Sequence, residues 1–165
     1  MFEVLLFLLE HYDDAEHCPS EWQLVRSLAR ADFDTEEVAR TLLWLGQLSA
    51  LERKTRVFGV PGEGTFRCLV DSERAMLDAD CLGVLLELER EGLLDAAERE
   101  AAIAGVPLLA GAPLNRSQWM LLVLFSLWRR NRTPGREKMR ELLRACRQAG
   151  ARAEDDSLPM LPLLP

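Results

Sequence analysis

Apolar residues recur along most of this chain at the spacing of an amphipathic helix, and one stretch in its first half breaks that rhythm. Val4, Leu5, Leu8, Leu9 and Tyr12 form one face of a first helix over about residues 2–12. After Pro19, Ser20 is placed to cap a second helix whose stripe is Trp22, Val25, Leu28 and Ala29 and which ends near Asp32. Asp34 followed by Glu37 has the form of a capping box, in which side chains satisfy the orphan amides of a first helical turn. A third helix with Val38, Leu42, Leu45 and Leu48 facing inward follows from it.

The rhythm then changes. Thr55 to Val60 and Thr65 to Val70 are rich in β-branched and aromatic residues and flank Pro61-Gly62-Glu63-Gly64, a pattern that predicts a β-hairpin with a four-residue turn. Three helices and a hairpin occur in the order of a winged-helix domain, so residues 1–71 read as a winged-helix-like lobe. That analogy concerns architecture and carries no function.

From residue 72 to 150 the helical period returns and predicts a second lobe of four helices. Asp78 or Asp80 caps a helix carrying Leu82, Leu85, Leu86 and Leu88, with Gly92 at its left-handed end. Asp95 and Glu98 form a second capping box, for a helix through Ile103. Asn115 with Gln118 opens the most apolar helix, about 116–130. Thr133 and Pro134 start the last one, with Met139, Leu142, Leu143 and Cys146 inward and Gly150 at its end. Residues 151–165 are proline-rich and read as a flexible tail. The expected fold class is mainly α with one β-hairpin: a winged-helix-like N-terminal lobe plus a C-terminal helical lobe.

A chain of 165 residues can bury a core without disulfide or metal staples. Cys18, Cys68, Cys81 and Cys146 lie far apart with no metal-binding spacing, which points to free thiols in a reducing compartment. The apolar opening is broken by Glu3 and Glu10 and lacks the basic start of a signal peptide. Trp119 to Trp128, the longest apolar run, is too short to span a bilayer and reads as a core helix. The expectation is a cytoplasmic protein with no membrane partner.

Charge alters this picture more than composition does. The net charge is −7, yet residues 1–50 carry ten acids against Arg26, Arg30 and Arg40, while residues 116–152 carry ten bases against Glu137 and Glu141. A field polarised in this way can steer an encounter with a charged partner.

Catalytic machinery is not legible. His11 and His17 belong to no metal or nucleophile motif, and Gly62 and Gly64 sit in a hairpin pattern rather than a phosphate loop. Glu36 and Glu37 are adjacent and so point in different directions on a helix. No enzyme activity and no cofactor are expected. Groove reading of DNA by the third helix is disfavoured as well, because Asp32, Asp34, Glu36 and Glu37 would meet phosphates with only Arg40 to offset them.

The expected function is therefore that of an adaptor or regulator, which binds an unidentified protein partner through a mixed apolar and charged surface. The candidate partner-binding residues are Trp44, Arg56, Arg67, Arg129, Arg130, Arg136 and Arg140. Trp44 lies beside the third helix's apolar stripe, which suits either a junction between the lobes or a partner-facing surface. The alternative is a nucleic-acid accessory factor that uses the hairpin and C-terminal arginines for weak, sequence-independent binding.

Four blocks of the chain carry a resemblance. They are the opening MFEVLLFLLEHY; Phe33-Asp34 with Leu42-Leu43-Trp44-Leu45; Leu77-Asp78-Ala79 with Cys81, Gly83, Leu85-Leu86 and Leu88-Glu89; and Trp119 with Val123-Leu124-Phe125. In combination they resemble the bacterial Smg proteins over about residues 1–148. The turn at residues 126–135 departs from the family's shorter one. The resemblance implies a cytoplasmic bacterial protein without an established activity.

Overall fold

Position after position from Leu121 to Trp128 is buried, so this segment needs neighbours on every side, and the rest of the chain supplies them. A computed structural model describes residues 1–55, 69–109, 111 and 113–156, with side chains described except at 52, 54, 55 and 149–156. In chain order the helices are α1 (Phe2–His11), α2 (Glu21–Arg30), α3 (Thr35–Thr55), the single turn α4 (Asp71–Arg74), α5 (Ala79–Arg90), α6 (Ala96–Ala104), α7 (Arg116–Arg129) and α8 (Arg136–Asp156). A 3₁₀ turn at Val106–Leu108 joins α6 to the segment before α7. Helix α7 is central and packs against α1, α5, α6 and α8, while α3 touches α1, α2 and α6.

The starts of α3, α5, α6 and α7 follow the capping chemistry that the sequence predicts, whereas α8 begins at Arg136, past the predicted start at Thr133 and Pro134. Asp78 accepts from the Cys81 amide at 2.9 Å, and Asp34 from the Glu37 amide at 3.1 Å. Asp95 and Glu98 exchange two bonds of 2.8 Å; Asn115 and Gln118 exchange bonds of 3.1 and 2.9 Å. Each pairing satisfies amides that a helix leaves unpaired in its first turn. Gly92 adopts the left-handed conformation, φ 69°, past the end of α5. Helix α8 continues past Gly150 to Asp156, beyond the end predicted for it.

Several expectations need correction. The chain is mainly helical, but the predicted hairpin does not stand. Among the described residues no strand forms, and the β-pairing present is an isolated bridge between Leu77 and Leu114. Thr55, assigned to open the first strand, is the last residue of α3, and Val70, assigned to close the second, caps α4, its amide donating to Glu73 at 3.0 Å. The remainder of the predicted hairpin, residues 56–68, lies outside the described residues. With no strand among the described residues to form a wing, the winged-helix-like description has no support in the structure. The physical cause at Thr55 is continuity: Leu48, Ser49 and Leu51 carry the helix forward, and β-branching at one end residue is a weak local preference beside the hydrogen bonds of an established helix.

The inward faces of α2 and α3 also differ from the predicted stripes. In α2, Leu24 and Leu28 are buried, whereas Trp22 is 60% exposed and Val25 38%. In α3, Val38, Thr41, Trp44 and Leu48 turn inward, with Leu42 and Leu45 half-buried. In α5, Leu86, expected inside, is 67% exposed. Buried residues of α1, α2 and α3 join those of α5, α6, α7 and α8 in one hydrophobic core.

Candidate partner-binding surface

The acidic first part of the chain and its basic last part meet in space. Arg136 lies 2.6 Å from Asp13, Arg147 pairs with Glu10, and the Asn131 amide donates to Glu16 at 2.8 Å. Further along, Arg116 pairs with Glu87 at 2.5 Å, Arg132 with the buried Glu98 at 3.2 Å and Lys138 with Glu91 at 3.5 Å. Glu10 and Asp13 of the acidic first part thus pair with bases of the last part, and Glu87, Glu91 and Glu98 from the middle of the chain pair with others. Among the described residues, no ion pair holds Arg130, Arg140 or Arg144, all of which are exposed.

Two of those three arginines face a cleft between the end of α1 and the start of α8, with a volume of about 670 Å³. Its floor is apolar, built from Leu9, Trp128, Met139 and Leu143. Its rim carries Glu10, Asp13 and Asp14 on one side and Arg136, Arg140 and Arg144 on the other. The positions of these arginines follow from helical geometry, since residues four apart on α8 lie one above another. The α1 side is held in place by Trp128, whose indole N–H donates to the Tyr12 carbonyl at 2.8 Å.

The predicted site residues divide accordingly. Arg136 and Arg140 line the cleft, and Arg130 is exposed at the end of α7, next to the cleft residue Asn131. Arg129 is instead half-buried and donates to the Ser49 hydroxyl at 2.9 Å, tying α7 to α3. Trp44 is buried; its ring N–H reaches the Gly105 carbonyl at 3.3 Å and its ring packs near Phe125, so it is a packing residue and not part of the exposed surface. Arg56 and Arg67 lie outside the described residues. The acidic wall of the cleft and Arg144 were not among the predicted site residues. The run of acids at Glu10, Asp13 and Asp14 was visible, but only the fold places it opposite α8.

The chemistry of single side chains is quiet. Among the described residues no cluster of three or more His, Cys, Asp or Glu is placed to hold a metal ion. Burial pushes the Cys81 thiol up to about 12 and the Cys146 thiol to about 11, so both keep their protons. His17 is raised above the ordinary histidine value by its hydrogen bond and charge contact with Asp14, 2.7 Å away on the exposed turn after α1. No described helix is long and apolar enough to cross a membrane.

These features define a helical protein with a charged, apolar-floored cleft. The chain belongs to the Smg family. The family model described as "Protein of unknown function (DUF494)" matches residues 1–150. The Smg homolog of Azoarcus sp. strain BH72 is 33% identical over 151 residues, covering 92% of this chain and 97% of that one. The Smg homolog of Nitrosomonas europaea is 32% identical over 136 residues, covering 82% and 90%. The Smg homolog of Aromatoleum aromaticum is 35% identical over 128 residues, covering 78% and 82%. No solved structure matches the chain.

Proposed function

We propose that this Smg-family chain is a non-enzymatic adaptor that binds another protein through the cleft between α1 and α8. The observation that carries this reading is the composition of the cleft: an apolar floor inside a rim with cations on one wall and carboxylates on the other. Protein interfaces combine these features, an apolar centre for burial and a charged edge for orientation. Thiols held protonated, and histidines outside the cleft, fit a binding role better than a catalytic one. The test is crosslinking in native lysate with and without nuclease, comparing the wild type with Arg140→Glu and Arg144→Glu. A nuclease-resistant partner that is lost from both variants supports the reading. A partner retained undiminished by both variants rejects this cleft as its site.

A second reading, a nucleic-acid accessory factor, is favoured by one observation, the exposed Arg130, Arg140 and Arg144, which no ion pair holds among the described residues. The carboxylates of Glu10, Asp13 and Asp14 beside two of them oppose it by repelling phosphate. It requires binding that weakens steeply with salt and with charge reversal at those arginines, and salt-independent or absent binding removes it.

A further inference from the structure

Helix α3 is apolar on two sides. Its inner face packs into the core, yet Ala39, Leu43, Gly46 and Ala50 lie on the opposite face, flanked by Gln47 and by half-buried Leu42 at the edge of the core, beside Glu21 at the start of α2, along a groove of about 640 Å³. Leu43 is 65% exposed there, and Trp22, next to Glu21 in sequence, is 60% exposed. Among the described residues nothing covers Leu43. Gly46 adds a second, independent oddity. Glycine inside a helix costs about 0.5–1 kcal/mol relative to alanine. A Cβ at position 46 would meet nothing within 4 Å, so this fold gives no internal reason for its absence.

We infer that this face binds a second copy of the same chain, through antiparallel pairing of α3 with α3. Residues seven apart on a helix fall nearly in line, so the outer face presents two adjacent rows: Ala39, Gly46 and Arg53 in one, Glu36, Leu43 and Ala50 in the other. In one antiparallel register these rows are complementary to themselves. Leu43 meets the second copy's Gly46, Ala39 meets its Ala50, and Glu36 meets its Arg53. The large side chain falls opposite the missing one, and the acid falls opposite the base. Each contact occurs twice, as an isologous two-fold interface requires. Glu36 and Arg53 are both exposed, and among the described residues the Glu36 carboxylate has only a loose partner, Arg40 at 4.0 Å. The small residues allow the two helices to approach closely, the second copy covers Leu43, and charge sets the direction of pairing. This surface is separate from the α1–α8 cleft and does not depend on the function proposed for it.

Analytical ultracentrifugation of the full chain, from micromolar to millimolar concentration, tests the pairing. The wild type is expected to form a dimer, and Leu43→Glu to sediment as a monomer with unchanged helical circular dichroism. Glu36→Arg, which sets like charges together twice, is expected to weaken the dimer about tenfold. Glu36→Arg combined with Arg53→Glu is expected to restore it. A wild type that stays monomeric throughout overturns the proposal, as does a dimer indifferent to Leu43→Glu. A dimer that is lost on Glu36→Arg and not recovered in the double variant overturns the antiparallel register.

Discussion

The guanidinium of Arg136 sits 2.6 Å from the carboxylate of Asp13, joining the start of α8 to the turn after α1 across one mouth of the cleft. Both side chains are more than two-thirds exposed, so water screens the attraction. Asp13→Ala and Arg136→Ala are each expected to change unfolding free energy by less than about 1 kcal/mol. Urea denaturation checks this, and a larger loss would mean that the pair holds α8 in place.

The 2.8 Å bond from Trp128 to the Tyr12 carbonyl contrasts with that pair because the ring is buried. Replacing Trp128 with Phe removes the donor and part of the packing against Phe125, 5.3 Å away between ring centres. A destabilisation of about 1–3 kcal/mol is expected, read from the shift in urea midpoint.

Gly46→Ala should stabilise the isolated chain by about 0.5–1 kcal/mol, since the added methyl lowers the entropy of the unfolded chain and meets no neighbour. The measurement is thermal unfolding at a concentration low enough to exclude self-association. A lowered melting temperature there would show that the position is crowded within the monomer.

The pair formed by Asp14 and His17 makes stability depend on pH from both sides. The contact with Asp14 raises His17, so its contribution is complete below the ordinary histidine value and disappears as pH rises through the raised one. Hydrogen bonds from the His17 backbone and side chain lower Asp14, so its contribution is present above the ordinary carboxylate value and disappears as pH falls through the lowered one. Nuclear magnetic resonance titration should find the His17 midpoint above that of a free histidine, and Asp14→Asn should bring it down. An unchanged midpoint in that variant would show that Asp14 is not the cause.

Cys81, 0% exposed, and Cys146, 6% exposed, should resist thiol reagents at mildly alkaline pH until the chain unfolds, because burial suppresses the thiolate as well as access. Mass spectrometry of peptides labelled before and after denaturation resolves each site. Rapid labelling of either one in the folded protein would contradict the packing around α5 or α8.

Helix starts were the most legible part of the chain. Asp34, Asp78, Asp95 and Asn115 each act within three residues of themselves, so their effect is written locally. Inward faces were less legible where apolar residues surround a helix. In α3, Trp44 and Thr41 went inside and Leu43 outside, a choice that residue type does not make. The candidate site was half legible: Arg136 and Arg140 were visible as part of a basic run, whereas Arg129 belonged to the same run and is used in packing.

From its sequence alone the protein's helical class, the caps of α3, α5, α6 and α7, its most apolar helix and its Smg family membership were already determined, because each depends on neighbours along the chain or on residues matched in order. The tertiary structure decided which charges cancel and which remain. Asp13 and Arg136 are far apart in sequence, and Coulomb attraction depends on distance in space, so a chain polarised end to end folds into one whose opposite charges meet around a cleft.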